Sequence, residues 1–214
     1  MTVHVACGAV GALLAQAPEG WLSAGEVARL ATFTSAKRRE QFMGARWQAR
    51  CLLAQVFGGD PAAWRLDAPP DAPPTVAGRP DLFLSISHSG DWTACAVAFA
   101  PVGLDLEAPQ RTRDIAGLVD LCCTPAERAL VGQSPATFYE LWTVKEAWLK
   151  QRGEWIAPRR LQQIDACPAI DGDVRTWDGT AWRLALCAGE EPHWWTPAPR
   201  ASRAWRVQDL RPGA

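Results

Sequence analysis

The chain has 214 residues, of which 48% are hydrophobic and 21% are charged, so it is long and apolar enough to bury a substantial core. Its formal net charge of −1 disfavours a general nucleic-acid coat or a strongly cationic membrane binder, and no stretch reaches the roughly 20 apolar residues of a spanning helix. We therefore predict a soluble globular protein that binds neither nucleic acid nor a membrane.

The cysteines give a prediction for the cellular compartment. There are 7, an odd number, with no C-x-x-C pair and no spacing typical of a zinc site. This pattern favours thiols buried in a reducing compartment. The mildly apolar segment 3–17 lacks the positive charge of a secretory signal, because no lysine or arginine precedes Arg29. We expect a cytoplasmic protein.

The first elements are a strand and two helices. Alternation over Val3 to Cys7 predicts the opening strand. Ser23 and Glu26 have the spacing of a capping box, which predicts a helix start. A second helix is predicted over about 36–56, ended by the glycines at 58 and 59.

This second helix is unusually basic. Arg39 and Arg46 are two turns apart and share a face, and only Glu40 opposes the positive charges nearby. The stretch indicates either a solvated helix surface or an anion-binding stripe. Its basic residues are Lys37, Arg38, Arg39, Arg46 and Arg50.

The middle of the chain is predicted to form a loop followed by a pair of strands. Residues 67–80 are rich in Pro, Asp and Ala and predict a loop that ends in a tight turn at 78–80. A strand over 82–87, a turn at 88–91 and a strand over 92–99 follow. Residues 101–103 are the expected boundary between an N-terminal half, 1–101, and a C-terminal half, 102–214.

The C-terminal half is predicted to begin with a strand at Leu104 and to continue as helices over about 111–150, one of them capped by Thr124. Beyond Gly153 the pattern changes to strands. Asp178-Gly179 predicts a hairpin turn between strands at 174–177 and 182–187.

The strand Gly103 to Glu107 carries two acidic residues with strand spacing. Leu104 and Leu106 should enter the core, while Asp105 and Glu107 leave together on the opposite face. Neighbouring carboxylates repel unless a cation lies between them, and a hard divalent ion such as Mg2+ suits oxygen ligands. An edge strand with a solvated acidic face is the alternative.

The segment Trp142 to Lys150 predicts a helix with an ion pair on one face. Glu146 and Lys150 are spaced i,i+4 in the favourable orientation. Trp142 and Leu149 partly share that face, which places Glu146 at the border of an apolar surface. The alternative is an ordinary surface salt bridge, worth only about 0.3–0.5 kcal/mol.

His88 lies between two serines and before Gly90, at the end of a predicted strand. Such a group can donate hydrogen bonds to an anion. The other histidines are His4 and His193 alone, which gives little support to a histidine metal site. The chain has no G-x-S-x-G, G-x-G-x-x-G or P-loop pattern, so these hydrolase and nucleotide-binding classes are disfavoured.

The order of these features resembles that of a known family. A basic helix, the Gly-Arg-Pro turn at 78–80, the Ser-His-Ser-Gly turn at 87–90, the acidic strand and the Trp-x-x-Lys-Glu-x-x-x-Lys helix follow one another. This series resembles the Sfp-type 4'-phosphopantetheinyl transferases from about Ala36 to Gly153. The most specific part is the pair of motifs that holds Asp105 and Glu146, 41 positions apart.

The resemblance implies an α+β fold of two similar α/β halves with pseudo-twofold symmetry, in a monomer. The N-terminal half would hold coenzyme A-binding elements, and the C-terminal half the metal site and the docking site for the carrier protein. Coenzyme A would be the donor substrate, Mg2+ the metal, and an apo carrier protein of acyl or peptidyl type the acceptor. The activity would be that of a holo-[acyl-carrier-protein] synthase-type enzyme.

The resemblance also implies roles for individual residues. Glu146 and Lys150 would be catalytic. Lys150 is similar to the lysine that meets the pyrophosphate, and we hypothesise that Glu146 takes the serine proton, directly or through a metal-bound water. Lys145 is a second candidate for that lysine, and the basic residues at 39, 46 and 50 are alternatives to Arg38. The metal ligands would be Asp105, Glu107 and Glu146, and the coenzyme A contacts would be Arg38, Arg79, Ser87, His88, Asp105 and Lys150.

Two other functions stay open from the sequence. One is a catalytically silent module that binds coenzyme A or a carrier protein, and the other is a metal-dependent phosphoesterase that uses the same acidic cluster. Residues 121–124 depart from the aromatic residues usual in the family at this point, which leaves the choice of carrier protein open.

Overall fold

The computed structural model describes residues 2–67, 73–108 and 114–211, and the chain divides into two units. The first unit is Met1–Val102 with Glu190–Ala198, and the second is Gly103–Gly189 with Pro199–Ala214. Residues 190–198, which the sequence analysis assigns to the C-terminal half, therefore group with the first unit. Their assignment differs because a short strand returns to pair with the first strand of the chain.

The first unit contains helices and a largely antiparallel sheet. Its elements are β1 (Val3–Ala9), α1 (Val10–Leu14), α2 (Ala24–Ala31), α3 (Ala36–Phe57), β2 (Leu66–Asp67), β3 (Thr75–Val76), β4 (Phe83–Ser89), β5 (Trp92–Ala98) and β10 (Pro192–Trp194). The four-stranded sheet has the order β10-β1-β5-β4, and the two short strands β2 and β3 pair separately.

The long helix α3 covers this sheet and forms much of its core. Leu52 and Leu53 are fully buried against Cys95 and Val97 of β5. Helical spacing puts these leucines on the sheet side, and their burial is the main source of stability at this contact. The predicted strand at 3–7 and the predicted helix at 36–56 are both confirmed.

Local signals set the helix ends. The capping box at Ser23 is confirmed, since the Ser23 side chain accepts from the Glu26 backbone N–H and the Glu26 carboxylate accepts from the Ser23 N–H. The side-chain oxygen of Ser35 accepts from the Arg38 backbone N–H and so caps α3, without a reciprocal bond. Gly58, at φ +82°, ends α3 because glycine adopts this left-handed conformation without strain.

Two predictions for the middle of the chain need correction. Residues 67–80 are not wholly loop, because Leu66 pairs with Val76 and Asp67 with Thr75; residues 68–72 lie outside the described residues. His88 and Ser89 belong to β4, not to the turn, since they pair with residues 93 and 92. The pairing continues because the turn needs only Gly90, at φ +59°, and the residue after it.

The second unit packs helices on a five-stranded antiparallel sheet. Its elements are β6 (Gly103–Glu107), α4 (Ile115–Cys122), α5 (Pro125–Val131), α6 (Pro135–Gln151), α7 (Pro158–Leu161), β7 (Ile164–Ala169), β8 (Val174–Asp178), β9 (Arg183–Cys187) and β11 (Arg200–Asp209). The strand order is β6-β9-β8-β11-β7. The predicted hairpin at Asp178-Gly179 is confirmed, whereas the short helix α7 had no sequence prediction.

The fold class α+β is confirmed, while the pseudo-twofold symmetry stays a prediction. The predicted helical region began at about residue 111, and residues 109–113 lie outside the described residues. All 7 cysteines are free thiols, five of them buried. Among the described residues, no helix has the length and apolar character needed to cross a bilayer.

Candidate functional site

The acidic strand β6 lies at the edge of its sheet and directly against α6. Leu104 and Leu106 are buried on one face, as predicted. Gly103 and Asp105 face α6, and Asp105 is only 3% exposed. The alternative of a solvated acidic face is therefore wrong for Asp105, because α6 covers it. Glu107, at the end of the strand, is half-buried.

Three charged side chains meet between β6 and α6. The Lys150 Nζ lies 2.5 Å from Asp105 Oδ1 and donates a hydrogen bond to it. The same Nζ lies 3.9 Å from Glu146 Oε2, which confirms the predicted i,i+4 pair on one face of α6. Residues from two distant stretches of the chain thus form one acidic cluster around an ammonium group.

Burial and mutual charge change the acid–base properties of this cluster. Burial, reinforced by the neighbouring Asp105 and Glu107 carboxylates and opposed by Lys150, raises the pKa of Glu146 to about 8. Burial disfavours the charged form of Lys150, but Asp105, Glu146 and Glu107 outweigh it and raise the Lys150 pKa above its usual value. Lys150 consequently remains an ammonium at neutral pH.

The three predicted metal ligands, Asp105, Glu107 and Glu146, all act on one another or on Lys150. Asp105 and Glu146 interact directly and Glu107 acts on both Glu146 and Lys150 through its charge. Across residues 2–67, 73–108 and 114–211, however, no group of three acidic, histidine or cysteine side chains is placed to hold a metal ion. The donor set fits a hard divalent ion in its chemistry, since buried carboxylate oxygens that repel one another favour a cation. The three-ligand geometry stays a prediction.

Lys145, the second candidate for the pyrophosphate lysine, lies inside the second unit. Its Nζ donates to Glu127 Oε2 at 2.6 Å, to the Leu161 carbonyl at 2.7 Å and to the Cys122 carbonyl at 2.9 Å. Its side chain is 2% exposed. All three donors of the ammonium are used, so this candidate is wrong in the described structure.

In the first unit, the start of α3 contacts the turn between β4 and β5. Lys37 Nζ lies 2.8 Å from Asp91 Oδ1, and Gln41 Nε2 donates to the Gly90 carbonyl at 2.8 Å. Arg38, between these two residues, is exposed, with its guanidinium 5.7 Å from the centre of the Phe33 ring.

Ser87 and His88 lie on β4 just before that turn. His88 is exposed, whereas Ser87 is buried and its carbonyl accepts a hydrogen bond from the Thr93 hydroxyl at 3.0 Å. The side chains alternate in direction along the strand, so the two residues face opposite sides of the sheet. The structure brings the predicted sites Arg38 and His88 to the same end of the first unit.

Arg79 lies elsewhere in this unit. Its guanidinium is 5.1 Å from the Phe57 ring and makes two hydrogen bonds of 2.8 Å to Asp81. Phe57 ends α3 and Arg38 is near its start, which separates the two positions by about 28 Å along the helix axis. The structure therefore does not bring Arg79 to Arg38.

Arg50, one of the alternatives in the basic helix, is part of the core. Its guanidinium binds Glu26 of α2 through two hydrogen bonds, of 2.5 and 2.9 Å, and both side chains are at most 1% exposed. Arg46 lies 3.9 Å from the same carboxylate. The prediction of a solvated helix surface is therefore wrong for Arg50, because Glu26, 24 residues earlier in the chain, pairs with it in the core. Arg39 alone of the pair at 39 and 46 is exposed.

Comparisons with known proteins agree with the order of these features. Residues 101–201 match the model of the 4'-phosphopantetheinyl transferase superfamily. The chain is 31% identical to a 4'-phosphopantetheinyl transferase of Bacillus subtilis, over 78% of the chain and 87% of that protein. It is 29% identical to 4'-phosphopantetheinyl transferase HetI of Nostoc, over 76% of the chain and 72% of that protein. It is 28% identical to 4'-phosphopantetheinyl transferase Sfp of Bacillus subtilis, over 50% of the chain and 50% of that protein.

Proposed function

The chain belongs to the 4'-phosphopantetheinyl transferase superfamily, and from this premise we propose that it transfers 4'-phosphopantetheine from coenzyme A to a serine of an apo carrier protein. The acceptor would be a carrier of acyl or peptidyl type, and the other product 3',5'-ADP. The observation that carries the proposal is the meeting of Asp105, Lys150 and Glu146 between β6 and α6.

The transfer is a phosphoryl displacement. The serine oxygen forms a bond to the β-phosphorus of coenzyme A, and the bond between that phosphorus and the bridging oxygen of 3',5'-ADP breaks. We assign the serine proton to Glu146, which accepts it only when ionised. A cation bound beside Glu146 would favour the ionised form and so oppose the rise of its pKa to about 8. Lys150, which stays charged, would donate hydrogen bonds to the pyrophosphate, where negative charge develops on the leaving group. Asp105 keeps the Lys150 ammonium in place.

We propose Mg2+ dependence for the same cluster. Asp105 and Glu146 would hold the ion, with Glu107 as the third carboxylate. When bound, the ion would supply positive charge to the phosphate oxygens. The support is the chemistry of the donor set, in which the charges of Asp105 and Glu107 add to burial in raising the pKa of Glu146 and in which a cation would offset that repulsion.

The first unit would contribute the contacts to the nucleotide. Arg38 and His88 are exposed at one end of that unit and would meet the 3'-phosphate and the pyrophosphate. Ser87 would add a hydroxyl contact. Arg79 would meet the nucleotide from a second position, as its distance from Arg38 requires. All four assignments rest on the order of the motifs, and those of Arg38 and His88 also rest on the exposure of their side chains. Ser87 is buried and faces the other side of the sheet from His88, so its assignment has no support from exposure.

We also propose the holo-[acyl-carrier-protein] synthase type of this activity, in a cytoplasmic monomer. Seven free thiols suit a reducing compartment. One chain carries both units, each with its own sheet and long helix, which suits function without a second copy. The net charge of −1 gives no reason to expect nucleic acid as a partner.

The experiment is the intact mass of an apo acyl carrier protein after incubation with the protein, coenzyme A and Mg2+. We expect a gain of one phosphopantetheine on the carrier, and none with Asp105→Asn. An unchanged carrier with tightly bound coenzyme A would instead support the silent binding module. Hydrolysis of coenzyme A with an unchanged carrier would support the phosphoesterase. The named relatives and the intact charged cluster favour neither alternative.

A further inference from the structure

The buried lysine Lys145 fastens α6 to three neighbouring segments at the residue before Glu146. Its acceptors belong to the end of α4 (the Cys122 carbonyl), the first turn of α5 (Glu127) and the end of α7 (the Leu161 carbonyl). A fully buried ammonium is stable only when all its protons find acceptors. Each of these three contacts therefore resists a shift of α6 along its axis.

The ion pair extends further through Glu127. The Oε1 of Glu127 accepts from the Ala166 backbone N–H of β7 at 2.9 Å, and Oε2 accepts from the Thr124 N–H at 2.8 Å. One carboxylate thus connects α6, the cap of α5 and the edge strand of the sheet.

A second buried charge on α6 provides a comparison. Glu140 lies 3.2 Å from Arg203 Nε, accepts from Thr176 Oγ1 at 3.1 Å and from Trp205 Nε1 at 3.3 Å, and its side chain is 4% exposed. It fastens the helix to β8 and β11, about one and a half turns before Glu146. Both anchors stabilise the second unit, but only Lys145 is joined to Glu146 by a peptide bond.

We propose that Lys145 is a positioning residue for the phosphopantetheine transfer, an inference that rests on the proposed function. It never touches the substrate. Lys145 holds this part of α6 against α4, α5 and α7. It thereby sets the position of the Glu146 carboxylate and, one turn later, of the Lys150 ammonium relative to Asp105. Misplacement of a reacting group by about 1 Å can cost about 100-fold in rate, so loss of this anchor should reduce turnover more than it reduces binding.

The test compares Lys145→Met, the double variant Lys145→Met/Glu127→Gln and the control Glu140→Gln. The double variant removes both charges and so keeps no unpaired ion in the core, in case the single variant fails to fold. The kcat for carrier modification and the KM for coenzyme A are measured well below the melting temperature of each variant. We expect the double variant to lose about 10- to 100-fold in kcat with KM within about twofold, and Glu140→Gln to lose stability but to keep kcat within about twofold.

Equal kcat in the double variant and in Glu140→Gln would overturn the inference, because Lys145 would then be only a structural anchor. A rise of tenfold or more in the KM for coenzyme A would overturn it as well, since Lys145 would then act on the ligand. If the wild-type chain modifies no carrier, the proposed function fails. The positioning of Glu146 by Lys145 is then tested separately, by crystal structures of the wild type and the double variant. A Glu146 carboxylate displaced by about 1 Å from Asp105 in the double variant supports it, and an unmoved one contradicts it.

Discussion

The backbone of Gly103 packs against the backbone carbonyl of Ala147. A methyl group on Gly103 would overlap that carbonyl oxygen and the amide nitrogen of Gln151. The absence of a side chain is what lets α6 approach β6 so closely. Asp105, two residues further along the strand, then comes within 2.5 Å of Lys150. A glycine in the strand thereby sets the geometry of the charged cluster on the helix.

Gly103→Ala should displace α6 and lower both stability and transfer activity. We expect a loss of about 1–3 kcal/mol in the free energy of unfolding, because overpacked positions cost this much when backbone atoms must move. Urea unfolding gives the stability and carrier modification gives the rate. Gly25→Ala on α2 is the control, since nothing lies within 4 Å of the added carbon there. A Gly103→Ala variant as stable and as active as Gly25→Ala would contradict the close approach.

Lys150→Met should reduce the rate of transfer by about 100- to 1000-fold, the usual effect of removing one preorganised donor from a developing negative charge. The kcat is measured with saturating coenzyme A and an apo carrier. Arg206→Met is the matched control in the same unit, since Arg206 pairs with Asp171 on the exposed surface. The assignment of Lys150 fails if both variants turn over at the wild-type rate.

Arg50→Met should unfold or strongly destabilise the first unit. It would remove both arginine hydrogen bonds to the buried Glu26 carboxylate and leave only Arg46 at 3.9 Å, which costs up to about 3–5 kcal/mol. Arg39→Met, which removes an exposed arginine of the same helix, should change stability by less than about 0.5 kcal/mol. Unfolding midpoints in urea compare the two. If Arg50→Met instead keeps its stability and loses coenzyme A affinity, Arg50 is a ligand contact and the buried pair is not a structural one.

The sequence predicts what depends on local spacing and misses what depends on pairing across the chain. The i,i+4 relation of Glu146 and Lys150 follows from the helical period alone. In the same way, the strand period alone predicts that Asp105 points to the face of the strand opposite Leu104 and Leu106. The burial of Arg50 does not, because its partner Glu26 lies on another helix. The structural role of Lys145 cannot be predicted from the sequence for the same reason, because its three acceptors come from segments that only the folded chain brings together.

The stability of the second unit should decrease in acid through the carboxylates that hold Arg160. Glu154 and Asp209 lie 2.6 and 2.7 Å from its guanidinium. The hydrogen bond from Arg160 lowers the pKa of Glu154, and that from Arg211 chiefly lowers the pKa of Asp209. Because both pKa values are lower in the folded state, the stabilisation is complete above the ordinary values of 4.5 and 3.8 and is lost as the pH falls below them.

Asp209→Asn checks this pH dependence. The difference between wild type and variant in the free energy of unfolding should be largest near neutral pH and should shrink as the pH falls below about 4. Urea unfolding at a series of pH values measures it. Asp171→Asn serves as the control, since that residue is exposed and pairs with Arg206 at the surface. A difference for Asp209→Asn that grows in acid would contradict the assigned pairs.

The most direct measurement of the proposed chemistry is the amount of 3',5'-ADP released for each carrier protein modified, with Mg2+ present and after its removal by a chelator. We expect equal amounts of nucleotide and modified carrier from the wild-type chain, and neither product from Asp105→Asn or from the chelated enzyme. Nucleotide released without modified carrier, or modified carrier formed at an undiminished rate by Asp105→Asn, would contradict it.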